Sequence, residues 1–215
     1  MELQSLEARL PDGERILFRP IRPDDKAKLQ QGMAMLSPES RYRRFFRHID
    51  HLSDRQLAYL TEVDFTDHVA WMAELPDAPG VPGVGVGRWI RLAGEPDVAE
   101  AAVTVIDSYQ HQGIGRTLLW LLARTAIERD VKAFRAWALG DNKPMLDLLQ
   151  AMGAQPGRWE EGVLEMTVPL PTDPDALHET PAPLILRAVA QGQFETHAEP
   201  ERPAAARLLP GDDPK

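Results

Sequence analysis

AEAAVTVIDSYQHQGIGRTLLWLLARTAIERD, Ala99 to Asp130, is the stretch whose reading decides the fold. A strand-like run from Val98 to Ile106 leads into a polar turn, Asp107 to Gln112, and then into a long amphipathic segment from Gly113. Gln110-His111-Gln112-Gly113-Ile114-Gly115 sits at the joint. Glycine lets the backbone curl so that successive N–H groups point into one concavity. The helix that follows adds unpaired N–H groups and the positive end of its dipole. Strand, glycine loop and helix N-terminus together predict an anion site suited to a pyrophosphate.

The remaining elements read outward from this unit. Arg15 to Ile21 (RILFRPI) predicts a strand, with Gly13 in the turn before it. Pro23-Asp24-Asp25 opens a helix to about Met35, with Pro early and acids in the first turn. Ser37 caps a second helix with Pro38 at its first position; Tyr42, Phe45 and Phe46 are expected on one face and the arginines from Arg41 to Arg47 mostly on another. Those arginines read either as a solvated basic side or as the partner of an anion. Ser53 caps a helix from Asp54 to Glu62, and His68 to Glu74 reads as a strand. Gly83 to Leu92 is a strand with glycines at alternate positions, which predicts a close approach to that backbone. After the long helix come a strand at Lys132 to Leu139, a helix capped by Asp141 or Asn142 and stopped by Gly153, and a strand at Gly162 to Val168. The sum is an α/β domain with a mixed sheet and helices on both faces, spanning residues 1–170. The last 45 residues hold eight of the 19 prolines and eight acids against four bases, which predicts a mostly flexible tail over residues 171–215. A short apolar patch within it, Leu184 to Val189, has the character to dock on the domain or on a second subunit.

Composition narrows the class. With 215 residues and 43% hydrophobic content the chain can build a sizeable core. It has no cysteine, so it has no disulfide, thiolate metal site or cysteine nucleophile. His48 and His51 share a spacing but have no further histidine nearby in sequence, and they are not read as a metal site. No signal-like segment or apolar run of membrane length is present, and a cytoplasmic location is expected. A net charge of −9 argues against sequence-independent nucleic-acid binding.

The loop also carries a family likeness. It contains no Walker string, and Leu118 stands where a dinucleotide fingerprint requires a third Gly or Ala. Gln110-x-x-Gly113-x-Gly115 instead fits Q/R-x-x-G-x-G/A, the acetyl-CoA signature of the GNAT superfamily of N-acetyltransferases. LPDGERILFRPIRPDD, LSPESRYRRFF, LSDRQLAYLTEVDFTDHVA and AEAAVTVIDSYQHQGIGRTLL more narrowly resemble the catalytic domain of bacterial Pat-type protein lysine acetyltransferases, over about residues 13–170. The resemblance implies the splayed GNAT sheet. It implies acetyl-CoA as co-substrate, with the pyrophosphate near Gln110 and on the amides of Gln112, Gly113, Ile114, Gly115, Arg116 and Thr117. It also implies that the pantetheine arm runs along the strand at Val103, Val105 and Ile106, and that Asn142 faces the cofactor. Many relatives have a thiolate-protonating Tyr seven positions after that Asn; here the position is Leu149. Pat-type relatives often carry a sensing or CoA-ligase-like region, and nothing here matches one, so regulation by that route is not expected.

Acetyl transfer to an amine needs the amine deprotonated. For lysine at pH 7 that costs roughly 4.6 kcal/mol, and a placed carboxylate can take the proton. Glu100 resembles the family's general-base Glu, and a period of two puts it on one strand face with the small residues Ala102 and Thr104. Glu165, in the last strand, is the runner-up. Asp64 and Asp67 lie in a loop that in this fold borders the acceptor, where they would bind an ammonium group; His68 beside them reads as structural. Three functions stay open at this point: a protein lysine acetyltransferase acting in a ternary complex, an acetyltransferase for small amines such as polyamines or aminoglycosides, and a non-catalytic acyl-CoA sensor.

Overall fold

The structure is a computed structural model that describes residues 3–172. The Pro-rich stretch from Pro171 therefore lies, apart from its first two residues, outside the described residues.

Along the chain run β1 (Leu6–Arg9), β2 (Arg15–Pro20), α1 (Lys26–Met35), α2 (Pro38–Phe45), α3 (Asp54–Thr61), β3 (His68–Glu74), β4 (Gly85–Leu92), β5 (Glu95–Val105), α4 (Ile114–Ile127), β6 (Ala133–Leu139), α5 (Lys143–Ala151), β7 (Gln155–Glu160) and β8 (Val163–Pro169). The strands form one sheet in the order β1-β2-β3-β4-β5-β6-β8-β7. Every pairing is antiparallel except β5 with β6.

Local chemistry accounts for most boundaries. Ser37 and Ser53 accept from the N–H groups of Ser40 and Gln56, and Gln56 closes a capping box on α3. The segment opening at Pro23 begins as a 3₁₀ turn, Pro23–Asp25, rather than as α-helix. Asp25 is the reason. Its carboxylate accepts from Arg22 N at 2.7 Å and from Arg19 at 2.6 and 2.7 Å, so it is held inward. The β7–β8 hairpin turns at Glu161 and Gly162, both with positive φ (49° and 81°), the backbone that a tight hairpin requires.

The alternate glycines of β4 have a packing cause. A Cβ on Gly85 would lie 3.1 Å from Ile114 Cγ2, and one on Gly87 would lie 3.1 Å from Leu118 Cβ. Helix α4 thus sits directly on this backbone, and the indole of Trp89 donates to Thr125 Oγ1 of the same helix at 3.1 Å. The other face of β4 carries Val86 and Arg88 and meets α1 and α3.

Two corrections concern strands. The sequence reading contains neither β1 nor β7. Both are sheet edges: β1 has four residues, and all six residues of β7 are exposed, with Pro156 and Gly157 among them. The solvated β7 lacks the apolar alternation that marks a strand in sequence, and β1, though it buries Leu6, is too short for the alternation to stand out. A third correction concerns α2, which ends at Phe45 because Phe46 takes a left-handed φ of 53°. Tyr42 is exposed, while Arg44 and Phe45 turn inward.

Candidate active site

Strands β5 and β6 pair at only three positions: Val98 with Ala133, Ala99 with Phe134 and Glu100 with Arg135. Beyond Glu100 they diverge. The gap becomes a cleft of about 720 Å³ with β5 on one wall, Trp137 of β6 and helix α5 on the other, and the Tyr109–Gly113 loop and the start of α4 at its end.

The backbone of β5 is turned toward this gap. Ile106 N donates to Val84 O at 3.0 Å, in register with Gly85 opposite Val105. Antiparallel alternation then directs the amides of Thr104 and Ala102 to β4, and those of Val105, Val103 and Ala101 to the open side. Side chains from both faces of β5 line the cleft: Ala102 and Thr104 on one, Val103 and Val105 on the other. The cleft therefore cuts through the sheet.

At its α4 end the loop is curled. His111 has φ 61° and Gly113, the residue that caps α4, has φ 89°. A Cβ on Gly115 would meet only Val103 and Val105, at 3.8 Å. The amides of Ile114, Gly115 and Arg116 open the helix and have no intrahelical acceptor. Thr117 N is different, since it donates to Gly113 O at 3.0 Å. The set of helix-opening amides left free thus ends at Arg116, one residue short of Thr117. Ile106 and Ile114 are buried in the core, 3% and 2% exposed, and neither lines the cleft; Ile106 N donates to Val84 O and its carbonyl accepts from Tyr109 N.

Gln110 ties the loop down. Its Nε2 donates to Val105 O at 3.0 Å and approaches Ser40 Oγ of α2 at 3.4 Å. Asp107 performs the larger docking, and sequence reasoning missed it. Its carboxylate accepts from Ser37 N (2.9 Å), Ser37 Oγ (2.9 Å) and Ser40 Oγ (2.8 Å). Burial opposes its charge, yet the bonds from Ser37 and Ser40 hold it below the usual carboxylate range. The signal available was Ser37 itself, a cap residue whose backbone and hydroxyl both remain free to donate.

Across the cleft, Asn142 caps α5, accepting from Met145 N at 3.4 Å, and lines the wall. Leu149 is 2% exposed and closes the floor, so no phenol stands at that position.

Glu100 lies at the foot of the gap, 9% exposed, on the same sheet face as Ala102, Thr104 and Arg88. Burial pushes its carboxyl above the usual range, and the charge of Arg44 opposes that shift. His68 Nε2 faces Arg88 Nη1 at 3.0 Å. Burial and that guanidinium drive the imidazole well below its ordinary pKa, so His68 is neutral and accepts the bond.

The remaining acids are engaged outside the cleft lining. Asp64 Oδ1 accepts from the amides of Thr66, Asp67 and His68, at 2.8 to 2.9 Å. Asp67 pairs with Arg91 Nε at 2.6 Å. Glu165, opposite Trp137 on β8, lies 3.6 Å from Arg135 Nε. These contacts shape the loop and the sheet, and none of the three carboxylates is brought to Glu100. Among the described residues no group of three or more His, Asp or Glu is placed to hold a metal, and no helix is long and apolar enough to cross a membrane.

Comparison with known proteins gives consistent findings. The family model described as Acetyltransferase (GNAT) family matches residues 34–154. Acetyltransferase Pat of Mycolicibacterium smegmatis is 32% identical over 187 residues, 83% of this chain and 55% of that protein. The chain thus spans about half the length of that relative. Acetyltransferase PA5475 of Pseudomonas aeruginosa is 30% identical over 144 residues, 67% of this chain and 77% of that one. The crystal structure of the GNAT domain of S. lividans PAT superposes with a TM-score of 0.70 at 30% identity, covering 77% of this chain and 97% of that domain.

Proposed function

The chain belongs to the acetyltransferase (GNAT) family, and from that premise we propose that it moves an acetyl group from acetyl-CoA to a protein lysine within a ternary complex. The observation that carries the proposal is the cleft that passes through the sheet. One end holds the helix-opening backbone donors suited to a diphosphate, and the wall on the opposite face is formed by Ala102, Thr104 and Arg44, the sheet face that buried Glu100 shares.

Acetyl-CoA supplies the activated thioester. The chain's own groups do the rest. The amides of Gly113 to Arg116, at the positive end of α4, take the diphosphate. The outward amides of Val103 and Val105 lie where the extended arm and the thioester oxygen need donors. Glu100 removes the ammonium proton of the acceptor. The freed nitrogen attacks the thioester carbon, the C–N bond forms, and the C–S bond breaks. The leaving thiolate takes its proton from solvent, because Leu149 offers none, and near neutral pH that step is inexpensive. The resemblance to Pat-type enzymes supports a protein acceptor.

The test is intact-mass detection of acetyl groups after incubation with acetyl-CoA and a panel of proteins and amines. Transfer to lysines of folded proteins is expected. Transfer to small amines alone would overturn the choice of acceptor.

A further inference from the structure

The charge around Glu100 does not balance. Helix α2 carries three arginines, of which Arg43 and Arg44 line the cleft, and two of the three are matched: Arg41 with Asp50 at 3.2 Å and Arg43 with Glu39 at 2.6 Å. Arg44 is not. Its Nη1 is buried and has no hydrogen-bond partner among the described residues. Its side chain lines the cleft near Ala102 and Thr104, and it also lines a second cavity of about 60 Å³ together with Arg88. Arg88 is 2% exposed, and its bonds go to His68 Nε2 and to Leu60 O at 3.2 Å, neither of them anionic. The other titratable groups facing the cluster are Tyr59, which burial keeps neutral, and Lys28, which is matched by Glu74 at 2.5 Å. Burial draws Arg44 to about 10 and Arg88 to about 9, so both remain charged at neutral pH. Two guanidinium groups, Arg44 and Arg88, thus share one sheet face with a single carboxylate, Glu100, whose charge acts on Arg44. The surplus grows to two when Glu100 accepts a proton. Buried surplus charge is costly unless something of opposite sign arrives.

We propose that Arg44 is the anion anchor of the acceptor site, and that the preferred acceptor carries a carboxylate beside its reacting amine. The inference rests on amine acetylation at Glu100 and narrows it to a class of acceptor. The diphosphate is not the anion in question. Its donors lie at the start of α4, which packs on the Gly85–Gly87 face of the sheet, whereas Arg44 and Glu100 share the opposite face. A polycationic acceptor would add to the surplus, so polyamines and aminoglycosides are disfavoured in spite of the chain's overall negative charge. The carboxylate has two possible sources: an acidic side chain flanking the target lysine in a protein, or the acceptor's own carboxylate in a small amino acid.

The experiment measures kcat/KM for thiol release with matched acceptors. One arm compares lysine peptides flanked by Glu with the same peptides flanked by Gln. The other compares amino acids with their amides. A preference of about tenfold or more for the carboxylate form is expected in one arm, the usual scale for a charge-assisted pair, and the arm that shows it identifies the source. Arg44→Gln should bring that ratio close to one, and Arg44→Lys should keep part of it. Should Arg44→Gln fail to fold, inhibition of the wild-type protein by propionate but not propionamide, competitive with the acceptor, carries the same test. Equal rates in both arms, or a preference that survives Arg44→Gln, overturns the inference and leaves amine acetylation standing. Absence of acetylation on every acceptor removes both.

Discussion

Replacing Glu100 by Gln keeps the size of the side chain and removes the base. At pH 7 a lysine amine with an ordinary pKa near 10.4 is free in about one molecule in 2,500, a cost of about 4.6 kcal/mol. A buried carboxyl at the foot of the cleft can recover much of this, because its own pKa is raised and so lies closer to that of the amine it serves. Initial rates of thiol release at saturating acetyl-CoA, from pH 6 to pH 10, should fall about a hundredfold or more at pH 7 in Glu100→Gln. The variant's rate should then climb about tenfold per pH unit toward the pKa of the amine, so that the gap closes in alkali. In the wild-type protein the rate also rises with pH, but on the acid side and for a different reason. Activity needs the carboxylate, so it falls as pH drops through a pKa above the ordinary value of 4.5. The KM for acetyl-CoA should not change. A variant within a few-fold of wild type at pH 7, or a gap that stays constant to pH 10, would refute the assignment of Glu100 as the base.

Three further outcomes test the scaffold. Gly87→Ala would place a Cβ 3.1 Å from Leu118 Cβ and 3.2 Å from Leu122 Cδ1, so α4 must shift, and a loss of about 1–3 kcal/mol is expected from the urea midpoint at unchanged slope. Arg19→Leu leaves Asp25 and Glu74 without the guanidinium that both contact, and should cost about 3–5 kcal/mol in the same assay. Hydrogen bonding to Arg19 leads the influences that draw Glu74 from 4.5 down to about 2, so its contribution to stability is present above pH 4.5 and is lost as pH falls toward 2; a urea midpoint that stays flat across that window would contradict the pairing.

Much of this molecule is legible in its sequence. The strand His68–Glu74 and the caps at Ser37, Ser53 and Asn142 appear as read, because a run of wholly or largely buried residues and a side-chain acceptor before a helix are local signals. The glycine periodicity of β4 correctly announced a close neighbour, though not that the neighbour would be α4. What escaped is long-range. Asp107 reaches Ser37 across 70 positions of sequence. Arg44 reads as part of a solvated or anion-meeting basic helix, and only the docking of α2 on β5 reveals that this arginine, unlike Arg41 and Arg43, is the one left unmatched. Asp64 and Asp67 have the residue type of a cation site, but Asp64 is consumed by the turn it creates and Asp67 by Arg91. Edge strands are invisible for a different reason: water around all six residues of β7 selects for no pattern, and β1, four residues long, is too short to show one.

The separation of β5 from β6 also decides how mutation acts on this protein. The polar rail presented by Ala101, Val103 and Val105 belongs to the main chain, so side-chain replacement along it can widen, narrow or roughen the walls without deleting a donor. Proline is the sole residue that would erase one. In the proposed function, grip on acetyl-CoA is in this way insulated from genetic drift, while the strand face that carries Glu100, under the charge of Arg44, presents replaceable side chains. Selection can therefore redraw what the enzyme accepts while leaving untouched what it spends.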